Sequence, residues 1–174
     1  QVPNNNWGSN FNPNAQLLPA GAYTYEPIWI FGDNNDDGTD AKVLYDNANE
    51  LFLMEDYTTA ESGFKEVVSL YPQSKYSHAA LKQLFTLSQY LGNNYQELKG
   101  YLLTDSTIIA YSNLKKSAEK ISNQCDIASE NWIEAIGWLE SVIANPESID
   151  DSIYSIIDLG KTYLLMENSY KSSS

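Results

Sequence analysis

From Thr39 onward, apolar residues recur at intervals of three and four, the spacing that places them on one face of an α-helix. Leu44, Ala48 and Leu51 mark a first helix. After a turn at Glu55-Asp56, Tyr57, Ala60, Phe64 and Val67 mark a second, which Pro72 prevents from continuing. The pattern then returns in phase. Leu84, Leu87, Ser88 and Leu91 are followed, after Gly92-Asn93-Asn94, by Tyr95, Leu98 and Leu102 in a short second helix. Ala118, Ile121, Ser122 and Cys125 precede Trp132, Ala135, Leu139 and Val142, with Pro146 as the stop, and Ile156, Leu159, Gly160 and Tyr163 mark a last, unpaired helix. The spacing predicts seven helices in an all-α fold, or about three and a half helical hairpins. Helices shorter than ~12–15 residues are marginal alone, so their stability has to come from stacking on neighbours.

Before Thr39 the pattern is absent. Residues 1–32 carry Pro3, Pro13, Pro19 and Pro27 and many asparagines, which predicts an irregular or extended N-terminal arm. Tyr23, Tyr25, Ile28, Trp29, Ile30 and Phe31 give it apolar surface to lay over something already folded. Residues 33–40 form an acidic hinge, 41–167 the helical domain, and 168–174, ending in Ser172-Ser173-Ser174, a disordered tail. The chain opens at Gln1 and reads as a piece of a longer polypeptide.

The first hairpin combines small Ala48 and Ala60, which let two helices approach, with large Leu51 and Phe64, which fill the gap, and Pro72 at its end. In this it resembles the tetratricopeptide repeat. Ile156, Leu159, Gly160 and Tyr163 are similar to the same family's large-x-x-Leu-Gly-x-x-Tyr pattern. The stretch Ser69-Leu70-Tyr71-Pro72-Gln73-Ser74-Lys75-Tyr76 is similar to the repeat junction of tetratricopeptide proteins from bacterial envelopes. The resemblance implies an α-α superhelix of about three and a half tetratricopeptide-like helix pairs over roughly residues 40–167. Leu98 stands where Ala60 stands in the first pair, so the second pair is expected to be looser. The runs Asn4-Asn5-Asn6-Trp7-Gly8, Phe11-Asn12-Pro13 and Tyr23 to Trp29 resemble the segment trailing the last coils of secreted right-handed parallel β-helix proteins. Together the two resemblances imply an extracellular or cell-surface bacterial setting, with the periplasm as the alternative.

Charge narrows the function. Ten basic against 23 acidic residues give a net charge of −13, which opposes nucleic-acid phosphates and anionic membranes. All the basic residues are lysines, so bidentate arginine recognition of carboxylate or phosphate is excluded. No apolar run approaches the ~18 residues of a membrane span. Cys125 and His78 are single, which rules out intrachain disulfides and zinc sites built from several Cys or His. Cys125 falls on an apolar helix face and His78 at a polar helix start, so both read as structural rather than as a catalytic pair. Glu55/Asp56 and Asp150/Asp151 sit at turns or helix starts, where acids act as caps. With no phosphate loop, nucleophile elbow or metal-helix motif, the sequence gives no enzyme.

Two constellations remain. Asp33-Asn34-Asn35-Asp36-Asp37-Gly38 has the alternating oxygen ligands and sharp glycine turn that open a calcium loop, with Asp33, Asn35, Asp37 and Asp40 as candidate ligands. The closing twelfth position is Leu44, so the loop departs from an EF-hand, and an acidic linker capped at Thr39 or Asp40 explains the same residues. The second constellation is implied by the tetratricopeptide resemblance, in which the second and ninth positions of each first helix face a concave groove. These are Lys42 with Asn49, Lys82 with Gln89, and Lys116 with Asn123, with Lys161 on the last helix. Tyr45, Phe52, Phe85, Tyr154 and Ile157 would supply apolar contact between them. Ammonium and amide donors in this arrangement resemble the carboxylate clamp of some tetratricopeptide domains, whose ligand is an acidic or carboxyl-terminal peptide. The expected function is thus a non-catalytic interaction scaffold within a larger protein. A ligand-free structural spacer, or an accessory to an enzyme lying upstream, are the alternatives.

Overall fold

The computed structural model describes residues 39–92 and 94–172. Among the described residues all regular structure is α-helical: α1 (Thr39–Leu53), α2 (Tyr57–Leu70), α3 (Lys75–Tyr90), α4 (Tyr95–Thr104), α5 (Ser106–Ala110), α6 (Ser112–Ala128), α7 (Trp132–Ala144) and α8 (Ile149–Ser172). The arm and most of the hinge expected from the sequence lie outside the described residues; Thr39 and Asp40 already belong to α1.

Local chemistry sets the boundaries. Asp56 accepts from the Thr59 amide and starts α2, and Ser74 accepts from the Tyr76 amide and starts α3. The buried Ser77 hydroxyl lies within hydrogen-bond distance of the carbonyls of Val67 and Tyr71 and shares its one proton between them, holding the end of α2 from the next helix. Asp105 accepts from the amides of both Thr107 and Ile108, and this cap nucleates α5, the helix that the apolar spacing alone misses. The short helix places Ile108 in the core. At the other end, α8 runs through Ser172, so residues 168–172 are helical rather than a disordered tail. The Lys171–Glu167 ion pair and the bond from Ser172 Oγ to the Asn168 carbonyl support that last stretch.

The turns inside the hairpins repeat one geometry. The Glu55 amide bonds the Phe52 carbonyl and the Asp56 amide bonds the Leu51 carbonyl; Glu130 and Asn131 do the same to Ile127 and Asp126. Both glutamates sit in the left-handed region, at φ 63° and 58°, closing their helices as Schellman motifs. Gly92, at φ 81°, serves the same purpose after α3.

Helices adjacent in sequence pack as antiparallel neighbours, α1 on α2 and α2 on α3, while α3 also lies beside α1 and α6. At the first crossing Gly63 approaches α1 so closely that a Cβ there would lie 2.9 Å from the Ala48 Cβ. Phe64 fills the space beside it, fully buried, with its ring 5.5 Å from that of Tyr45. In the second hairpin Leu98 replaces the small residue, and α4 packs more extensively on α6 than on α3. A continuous apolar core runs from Ala48 to Cys125. Buried Ala135 and Leu139 of α7 lie apart from it. No helix among the described residues is long and apolar enough to cross a membrane.

Two substitutions test this packing by thermal or denaturant unfolding. Phe64→Ala should cost about 3–5 kcal/mol, the range for deleting a buried aromatic; a loss below about 1 kcal/mol would contradict its placement. Glu55→Gly should instead stabilise by about 1 kcal/mol, because glycine adopts the left-handed conformation without a Cβ clash.

Candidate functional site

The last three helices line a solvent-open pocket of about 390 Å³. From α6 it takes Lys120, Asn123, Gln124 and Ile127, from α7 Trp138 and Leu139, and from α8 chiefly Tyr154, Asp158, Lys161 and Thr162. The spacing of Lys120, Asn123, Gln124 and Ile127 is that of one helix face, as is the spacing of Tyr154, Asp158, Lys161 and Leu165.

Asn123 is the unusual member. It is 95% buried (5% exposed), and its Oδ1 has no hydrogen-bond donor in reach. An unpaired buried amide costs about 1–3 kcal/mol, so its position is not explained by stability. Around it the charges are balanced. Lys120 Nζ donates to Asp151 at 3.0 Å, and this bond, with that from the Ser148 hydroxyl, holds the Asp151 carboxyl below its ordinary range. Lys161 donates to Asp158 at 2.9 Å.

The structure brings three of the groove candidates, Asn123, Tyr154 and Lys161, to this cavity. The others are placed elsewhere. Lys42 pairs with Asp46 and Lys116 with Glu147, and in each case the hydrogen bond to the acid raises the lysine's proton affinity. Lys82 is exposed, with no acid within ion-pair distance among the described residues. Asn49 is half-buried and Gln89 exposed. The rings expected to touch a ligand pack instead within the chain: Tyr45 against Phe64 and Tyr76, Phe52 against Tyr57 and Tyr90, Phe85 against Tyr95. Ile157 is exposed on α8 and does not line the cavity. Sequence reasoning missed Lys120, one turn beyond Lys116, and it read Asp151 only as a helix cap. Of the calcium candidates, Asp33, Asn35 and Asp37 lie outside the described residues, and Asp40 is exposed in the first turn of α1.

Cys125 and His78 occupy separate places. Burial, with the Asp126 charge beside it, pushes the Cys125 thiol up to about 12, so it is protonated at neutral pH. His78 Nδ1 lies 2.8 Å from Ser117 Oγ, joining α3 to α6 roughly 12 Å along the helix axis from Cys125. Lys99 donates to both oxygens of buried Asp126, at 2.6 and 2.7 Å, and ties α4 to α6. Comparison of the chain with protein-family models, curated proteins and solved structures gives no match.

Burial, and secondarily the charge of Lys82, lower the His78 proton affinity below its ordinary 6.5. Its folded-state value is depressed, so the stability it contributes is complete above pH 6.5 and is lost as pH falls through the folded-state value. Denaturant unfolding on the two sides of this window should show a drop on acidification that His78→Gln reduces; an equal drop in both proteins would contradict the assignment.

Proposed function

We propose that this chain is a non-catalytic scaffold, a tetratricopeptide-like helical repeat of a larger secreted or surface-attached bacterial protein, whose groove holds a peptide segment of a partner. The observation that carries this reading is Asn123, a buried amide with an unused acceptor in a cavity flanked by two lysines. A buried polar group left unpaired at a cost to folding calls for an explanation, and a ligand that completes it supplies one. The repeated turn geometry, the stacked helix pairs and the junction at residues 69–76 support the repeat resemblance.

The ligand class is an acidic or carboxyl-terminal peptide. Its carboxylate exchanges with Asp158 for Lys161, an exposed pair of the kind worth about 0–1 kcal/mol and therefore readily opened. A backbone N–H of the same peptide donates to Asn123. Lysine acts here through a screened point charge, so binding weakens with salt. A ligand-free spacer is the second reading, favoured by the pairing of Lys42, Lys116 and Lys161 with the chain's own carboxylates.

The test is a screen of acidic and carboxyl-terminated peptides against the wild type, Lys161→Ala and Asn123→Leu. Asn123→Leu should raise stability by about 1 kcal/mol by removing the unpaired amide, while both variants lose affinity. Absence of binding, or equal binding by all three proteins, would leave the spacer reading in place.

A further inference from the structure

The strongest unexplained feature outside the cavity is that α8 is built inside out. The side it turns to the protein fully buries only the polar Ser155 and Thr162, with Leu159 and Met166 half-buried beside them. Its opposite side exposes Ile149 (80%), Ile153, Ile156 (55%), Ile157, Tyr163 and Leu164 (62%). At 3.6 residues per turn Ile149, Ile153, Ile156, Gly160 and Leu164 fall along one strip, on which no charge occurs over this length. An apolar strip of this extent is the mark of an interaction surface.

Gly160 lies in the middle of the strip. A Cβ built there meets nothing within 4 Å, so packing inside the chain gives no reason for a residue that is unfavourable in mid-helix. The equivalent positions of the earlier first helices are Ala48, Ser88 and Ser122, all small and all buried. At Ala48 the neighbouring helix comes close enough for Gly63 to be required. The same register on α8 faces solvent.

We propose that this strip is the interface with a second copy of the chain, in which two α8 helices pack antiparallel about a two-fold axis through Gly160. The central two turns of the helix are complementary to themselves in that arrangement, and Glu167, which falls opposite Ile153, marks the edge of the apolar contact. With Gly160 facing its own copy, Ile156 falls opposite Leu164 and Ile157 opposite Tyr163 of the second chain. The acidic end of one helix, at Asp150, lies beside the basic end of the other, at Lys171. The two-fold axis makes each contact occur twice. The strip is separate from the face of α8 that lines the cavity, so the dimer leaves the proposed groove open. Each chain carries a net charge of −13, and this long-range repulsion weakens as salt screens it. Dimerisation therefore strengthens with salt, the opposite of the proposed peptide binding.

Sedimentation of the whole chain over a range of concentrations, at low and high salt, tests the proposal. The expected result is a mass of two chains that falls toward one on dilution and shifts toward the dimer in salt. Gly160→Leu has open space in the monomer and improves helix propensity, so it should fold, as circular dichroism verifies, yet remain a monomer because bulk at the axis separates the helices. Ile156→Lys should also be monomeric. A wild type that stays monomeric at every concentration and salt, a larger assembly, or a dimer undiminished in both variants would overturn the proposal.

Discussion

The structure depends on one constraint: half of the helices among the described residues are too short to stand alone and survive only by sharing apolar surface with neighbours. α4 has ten residues and α5 five. Their buried residues, Tyr95, Leu98, Leu102 and Ile108, all belong to the core that also holds Phe64, Val67, Leu81, Leu84 and Leu114. The helices are therefore stabilised by the surfaces they share, α1, α2 and α3 with their neighbours in the chain and α4 chiefly with α6, as in repeat architectures where interfaces between adjacent units set stability.

That constraint explains why the two ends of the molecule differ. The apolar core stops at Cys125, and beside buried Ala135 and Leu139 the α7–α8 hairpin is joined to α6 by polar groups: Lys116 with Glu147, Lys120 with Asp151, and the 2.8 Å bond from Ser169 to Glu130. Exposed ion pairs contribute little net stability, so this hairpin is held more weakly than the helices before it. The pocket with Asn123 lies at this seam, lined by Lys120, Asp151, Asp158 and Lys161 together with Ile127, Trp138 and Leu139. The larger apolar residues of α8, Ile149, Ile153, Ile156 and Leu164 among them, lie on its exposed side.

The helices were legible in the sequence because burial imposes a period on residue choice. Phe64, Leu84, Leu87, Ile121 and Leu139 are buried where the spacing placed them. α5 was not legible because five residues carry too little periodicity, and its signal was the cap at Asp105. The left-handed turns were hidden because Glu55 and Glu130 stand where glycine is usual. The groove was legible only in part. Asn123, Tyr154 and Lys161 share a pocket; the spacing of Lys42 with Asp46 and of Lys161 with Asp158 along one helix is that of an ion pair, whereas no sequence pattern shows that Glu147 takes up Lys116. Nor does it show that Tyr45, Phe52 and Phe85 turn to neighbouring rings. Those choices are made between helices distant in the chain or by side-chain rotamers, and neither leaves a period.

Native-state hydrogen exchange on dilute protein measures the central claim directly, because it reads the opening free energy of each helix separately. The account predicts that the most protected amides of α2, α3 and α6 exchange only through global unfolding, while those of α7 and α8 exchange together through a smaller, less costly opening. Protection of α8 equal to that of α3 in the dilute protein would show that the polar seam holds the last hairpin as firmly as the apolar core holds the rest, and would contradict it.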